Sequence, residues 1–181
     1  MPLLSAIARR KKLAYFLSFV PKTDRILEIG CADGWVGSYA TANGWHRFVG
    51  IDLADPPAPL PHEFVRGDIQ DWRQIGLEAG SFDAVIAFEV VEHGDFFKPI
   101  SELLRPGGLL LVTTPLPHRD WVCKILEAAG LNQRRTSPHD HLIYLHDFPE
   151  EFHPVRSKVK GGISQWGVFQ RVATRARPPA A

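Results

Sequence analysis

An α/β fold, with helices packed on a mostly parallel sheet, is predicted by three features of this chain. Residues 26–37 read ILEIGCADGWVG: an apolar strand, an acid-flanked glycine turn and the opening of a helix. Further apolar strand segments follow at intervals, and the next two end in aspartates, Asp52 and Asp68. The chain then closes with two strand-like segments joined by Gly-Gly-Ile-Ser, a hairpin signal that adds an antiparallel edge.

The opening MPLLSAIARRKKLAYFLSFVPK sets a basic cluster, Arg9 to Lys12, before a short apolar run. No small-residue cleavage site follows, so it reads as a helix that packs on the sheet or lids a site, not as a leader. The strand at Ile26 ends beside Glu28, whose carboxylate suits a cationic or hydroxyl-rich ligand and repels a diphosphate. Gly30 and Gly34 carry no Cβ, so the backbone can turn tightly and a ligand can approach it. The following helix directs its free N–H groups at that ligand. The spacing is Gly-x-x-x-Gly-x-x-Gly, with Ala32 where a middle glycine would sit, and it departs from the dinucleotide fingerprint.

Residues 46–54, HRFVGIDLA, form a second strand ending at Asp52, eighteen residues after Gly34. That is near the ~20-residue offset at which a second-strand acid meets a ribose hydroxyl in such folds. The proline-rich run from Ala54 to His62 stiffens the crossing to a third strand, which ends at Asp68 before a helix start predicted at Asp71. Residues 82–93, FDAVIAFEVVEH, are apolar enough for a strand buried on both faces. A short helix, FFKPISELL, and a Pro-Gly-Gly turn then feed a fifth strand, in LLRPGGLLLVTTP. Beyond Pro115 the pattern predicts a helix over about 119–129, stopped by Gly130, then an irregular stretch over 132–154. That stretch is too long for a plain connection, and such loops are usually functional. The last two strands are placed at Val155–Lys160 and Gln165–Ala173, and the tail RPPAA is expected to be disordered.

With 181 residues the chain reads as one domain. Its parts are an N-terminal helix or lid (1–22), a core (24–115), a helix and loop (116–154), closing strands (155–173) and a tail (174–181). A hydrophobic content of 45% and a net charge of +1 describe an ordinary soluble chain with no nucleic-acid footprint. Cys31 and Cys123 make no disulfide framework, which points to a reducing, cytoplasmic setting. No apolar run approaches the ~20 residues of a membrane span. The alternation of Arg156, Lys158 and Lys160 puts three cations on one strand face. This reads as edge protection or as a contact for an anionic acceptor.

These segments together resemble a class I S-adenosylmethionine-dependent methyltransferase, in the subgroup of ubiquinone- and menaquinone-biosynthesis methyltransferases. The resemblance rests on ILEIGCADG, IDLA, GDIQDW, FEVVEH and LLRPGGLLLVTTP, within residues 24–115. It implies a Rossmann-like, doubly wound, seven-stranded sheet with an antiparallel C-terminal hairpin at its edge, and S-adenosylmethionine as cofactor. It also implies roles. Glu28 and the turn Gly30, Cys31, Ala32 and Gly34 would hold the methionine portion. Asp52 would bind the ribose hydroxyls, with Leu53 beside the adenine. Asp68 would accept from the adenine amino group, with Ile69 against the ring. Phe88 and Glu89 would line the site near the methyl group. Cys31 contributes backbone, not a nucleophile.

A sulfonium methyl is already activated, so positioning and desolvation supply much of the rate. An oxygen or nitrogen acceptor can also need a base, and His93, just past the fourth strand, is the candidate. The expected acceptor is a small molecule. Two alternatives stand beside this reading. Glu89, Glu92, His93 and His141 resemble the metal ligands of small-RNA terminal 2′-O-methyltransferases, although LIYL replaces the aromatic segment expected after His-Asp-His. A cofactor-binding protein that has lost catalysis is the other. The acceptor pocket is expected from the N-terminal helix and the 132–154 loop, and the sequence leaves the oligomeric state open.

Overall fold

The computed structural model describes residues 3–119, 121 and 141–172. Its centre is a seven-stranded sheet of order β3-β2-β1-β4-β5-β7-β6. The strands are β1 (Ile26–Ile29), β2 (Phe48–Asp52), β3 (Glu63–Arg66), β4 (Phe82–Phe88), β5 (Leu104–Pro115), β6 (Phe152–Lys160) and β7 (Ser164–Arg171). The first five in that order pair in parallel, and β7 runs antiparallel to both β5 and β6. The mostly parallel, doubly wound α/β sheet with an antiparallel edge hairpin is therefore present.

β1 is buried along its whole length and β4 nearly so, as expected of parallel strands covered on both faces. Successive side chains alternate between two cores. Leu27, Ile29, Val49, Ile51, Val85 and Val112 face one layer, with Ile69, Trp72 and the helix α3 (Phe97–Leu103). Ile26, Phe48, Ala84, Ile86 and Leu111 face the other, against α1 (Leu3–Leu17) and α2 (Trp35–Ala42). Leu13, Phe16 and Leu17 of α1 are at most 1% exposed. The N-terminal helix is thus a packed layer, and its far end reaches the carboxyl ends of β4 and β5, as Lys12 shows below.

The Arg-Pro-Gly-Gly segment does structural work at the opposite end of the sheet. It makes a register shift at the start of β5, between the partners of Phe82 and Ala84. A Cβ on Gly108 would lie 2.9 Å from the Arg105 carbonyl and 3.0 Å from that of Asp83, so only glycine fits. The bulge lets the Arg105 guanidinium reach the Asp83 carboxylate at 2.6 Å.

Some expectations change in detail. The helix predicted from Asp71 is a 3₁₀ turn over Ile69–Asp71, capped by Asp68, whose carboxylate accepts from the Gln70 amide at 2.9 Å. β6 starts three residues before Val155 because Phe152 is buried and pairs with Arg171. The expected strand at 165–173 spans Ser164–Arg171. Residues 132–140, most of the expected 119–129 helix, Cys123 and the tail lie outside the described residues. The described part of the late loop is tied down. Gln165 donates to the carbonyls of Pro115 and Ile143 and accepts from the Leu145 amide, while Phe148 stacks on Phe169.

Candidate active site

In an open α/β sheet, ligands bind outside the carboxyl ends of the strands, where the strand order reverses. Here the reversal falls between β1 and β4. The loop after β1 is shaped for close approach. Gly30 and Gly34 have φ of 71° and 69°, and Gly34 leads directly into α2. Two non-glycine residues also take the left-handed region, Ala32 (φ 47°) and Glu89 (φ 55°). Both flank the switch point, one after β1 and one after β4. Such strain costs of order 1–3 kcal/mol per residue and concentrates at functional sites.

Glu28 ends β1 as a buried carboxylate. The Gly37 amide reaches it, but its Oε2 has no partner among the described residues. Burial raises its pKa well above the ordinary range, Asp33 adds to the rise, and Lys12 opposes it. A buried acceptor with no donor is a demand for a cationic or hydroxyl ligand. Asp52, at the end of β2, holds the loop in place: its Oδ2 accepts from the Ala32 amide at 2.8 Å and its Oδ1 from the Ala54 amide at 3.2 Å. Leu53 beside it is 68% exposed, an apolar side chain open for a ring to cover. Ile69 instead sits in the core, so a ligand there would meet its backbone. Cys31 is buried, and burial with the Glu28 charge pushes its thiol up to about 12, so no thiolate is available.

On the β4 side, Phe88 packs 4.8 Å from the Phe16 ring. The Glu89 amide donates to the Thr113 carbonyl at 2.8 Å, fixing the turn. Glu92 is fully buried, with the Thr114 side chain and the Glu89 carboxyl group beside its own carboxyl group. Burial first, then the Glu89 charge, raises its pKa to about 8. His93 closes the 3₁₀ turn Val91–His93, half-buried. The His141 amide meets this turn, donating to the Glu92 carbonyl at 3.0 Å. Among the described residues no three His, Cys, Asp or Glu side chains are placed to hold a metal ion, and His141 is exposed while Glu92 is sealed.

Sequence reasoning missed Lys12. Its Nζ lies 4.5 Å from the Phe88 ring centroid and 3.5 Å from Thr113 Oγ1, at the carboxyl ends of β4 and β5. Only its position late in a basic run signalled it. Lys158, one of the three alternating cations, lies 3.1 Å from the Tyr15 centroid and 4.9 Å from that of Trp166, so its charge rests on an aromatic pair. A concavity of about 260 Å³ opens at the amino ends of β1 to β3, lined by Arg25, Arg47 and Glu63. Another, of about 400 Å³, lies between residues 145–154 and Phe169.

The fold is an open α/β sheet with a candidate ligand site at its switch point, and the comparisons give it a family. Residues 5–155 match the family described as a methyltransferase domain, and the chain belongs to that family. It is 33% identical over 97 residues to a probable S-adenosylmethionine-dependent methyltransferase of Mycolicibacterium smegmatis, covering 50% of this chain and 37% of that protein. It is 32% identical over 102 residues to a ubiquinone biosynthesis O-methyltransferase of Nitrosococcus oceani, covering 50% and 43%. The chain thus spans less than half the length of these relatives. The fold also matches the 1,6-didemethyltoxoflavin-N1-methyltransferase of Burkholderia thailandensis, solved with S-adenosylhomocysteine bound. That match has a TM-score of 0.61 at 17% identity and covers 91% of this chain and 78% of that one. Among the described residues no helix is long and apolar enough to cross a membrane.

Proposed function

We propose that this chain transfers a methyl group from S-adenosylmethionine to a small-molecule acceptor. The observation that carries the reading is the orphaned, buried Glu28 carboxylate at the switch point, beside two glycines at positive φ and facing the Asp52-held loop. These residues fit the cofactor. The unpartnered Glu28 oxygen suits the methionine ammonium, the glycine turn admits its backbone-hugging chain, Asp52 has lone pairs to spare for the ribose hydroxyls, and exposed Leu53 offers an apolar wall for the adenine.

When bound, the cofactor supplies an electrophilic methyl carbon. The chain's own part is placement and exclusion of water. α1 and Phe88 wall the site on one side, and the strained Glu89 turn fixes the β4 end. Asp68 caps the turn after β3 and would present its remaining lone pairs to the adenine amino group, with Ile69 contributing backbone. His93 is placed on the turn that borders the acceptor side. The acceptor-side wall includes the segment beyond His141, which is tied to the Glu92 carbonyl.

The test is transfer of tritium from methyl-labelled S-adenosylmethionine to a panel of phenols, amines, carboxylates and short RNAs, with and without EDTA. Labelling of a small molecule that survives EDTA supports the proposal. Labelling of RNA alone, abolished by EDTA, would replace it with the metal-assisted reading.

A further inference from the structure

We infer that Lys12 is the group that receives the acceptor's proton, which makes the acceptor an O–H or N–H compound. This rests on the cofactor reading above and deepens it. Lys12 Nζ lies at the carboxyl ends of β4 and β5, beside the switch point.

The placement comes from three elements. α1 is anchored by Leu13, Phe16 and Leu17, each at most 1% exposed, so the intervening turn has little freedom. From it Lys12 extends to the ends of β4 (Phe88) and β5 (Thr113), with the Trp35 ring of α2 6.0 Å away. The charged groups acting on it are Glu89 and Glu92 beyond β4, Glu28 at the end of β1, and Arg9 one turn earlier on α1. The three carboxylates favour its ammonium form. Yet Lys12 makes no ion pair within 4.0 Å among the described residues, and its only polar contact there is the Thr113 hydroxyl. Desolvation outweighs the carboxylates and lowers its pKa from the ordinary lysine value. A lysine whose burial lowers its pKa holds the neutral, proton-accepting form more often than a surface lysine does.

The charge balance of the step gives Lys12 a reason to be there. The bond formed joins the acceptor oxygen or nitrogen to the methyl carbon. The bond broken is carbon–sulfur, and its electron pair stays on sulfur. The acceptor's proton passes to Lys12 Nζ. Before transfer the positive charge is on the sulfonium, and the neighbouring cation favours neutral Lys12. After transfer sulfur is a neutral thioether and the charge is on the Lys12 ammonium. The site keeps the same net charge throughout.

The experiment follows the [13Cε]lysine resonances of the full chain by NMR across pH, with S-adenosylmethionine and then S-adenosylhomocysteine bound. Lys12→Met assigns the signal, and calorimetry with S-adenosylhomocysteine checks the site in both proteins. The expected result is a Lys12 that titrates below the other lysines, and at lower pH with S-adenosylmethionine than with S-adenosylhomocysteine. Lys12→Met should bind S-adenosylhomocysteine with affinity changed less than about threefold. A Lys12 that titrates with the surface lysines, or identically in both complexes, overturns the inference while leaving the cofactor reading intact. Failure of the wild-type chain to bind S-adenosylhomocysteine overturns the cofactor reading itself.

Discussion

Replacing Asp52 with alanine separates the loop contacts that this carboxylate makes from the ribose contact proposed for it. In the free protein it accepts from the Ala32 amide at 2.8 Å and the Ala54 amide at 3.2 Å. Both amides are near solvent, so water replaces the lost acceptor and the net cost to folding is about 1 kcal/mol. For a chain of this size that lowers Tm by roughly 2–4 °C. The cofactor loses more. On the proposed reading, two ribose hydroxyls give up hydrogen bonds to this carboxyl group, worth about 1.5–3 kcal/mol each. The Ala32 turn also loses its tether. Taking about 3 kcal/mol as the floor, the Kd for S-adenosylhomocysteine rises roughly 100-fold or more. Asp52→Asn keeps one acceptor oxygen and should fall between. The assay is calorimetric titration with S-adenosylhomocysteine beside a circular-dichroism melt. A variant that melts within a few degrees of wild type and binds within threefold of it would refute the assignment of Asp52 to the ribose.

Other predictions follow from the same geometry. Glu92, fully buried with its pKa raised to about 8, holds a proton in the folded state that it loses near 4.5 when unfolded. The folded state therefore binds the extra proton, and stability falls as pH rises from about 4.5 to 8. Glu92→Gln removes that slope, so between pH 5 and pH 8 the variant should gain about 1–3 kcal/mol relative to wild type in urea unfolding. A constant difference across that range would contradict the burial argument. Ala32→Gly relieves the left-handed strain at φ 47° and should raise Tm by about 1–2 °C. A fall in Tm would show that the turn is not strained.

The sheet was readable from the chain because its strands carry their own evidence. ILEI and FDAVIAF are apolar on both faces, as covered parallel strands must be, and Gly-Gly-Ile-Ser marks the antiparallel return. Boundaries that depend on tertiary contacts were not readable. β6 begins early because Phe152 finds the core beside Phe97 and Phe169, a contact invisible to local patterning. The helix expected at Asp71 shortened to a 3₁₀ turn once Asp68 capped it. The LLRPGG segment carried much of the resemblance, yet its glycines serve a bulge at the end of the sheet opposite the site. Within the site, the acids at strand ends were legible by position, but their present partners were not: Asp52 and Asp68 both hold backbone amides. Ile69 was read as a ring contact and its side chain lies in the core. Lys12 was hidden because helix periodicity says which residues face the sheet, not that one long side chain runs along it to the strand ends.

The central claim is that the switch point between β1 and β4 binds S-adenosylmethionine. A thermal melt with and without S-adenosylhomocysteine, with NADH as control, tests it most directly. At about 100 times its Kd the ligand adds ~2.7 kcal/mol. That predicts a Tm rise of roughly 5–10 °C with S-adenosylhomocysteine and none with NADH. A folded protein whose Tm stays put with S-adenosylhomocysteine, or rises equally with NADH, would contradict the account.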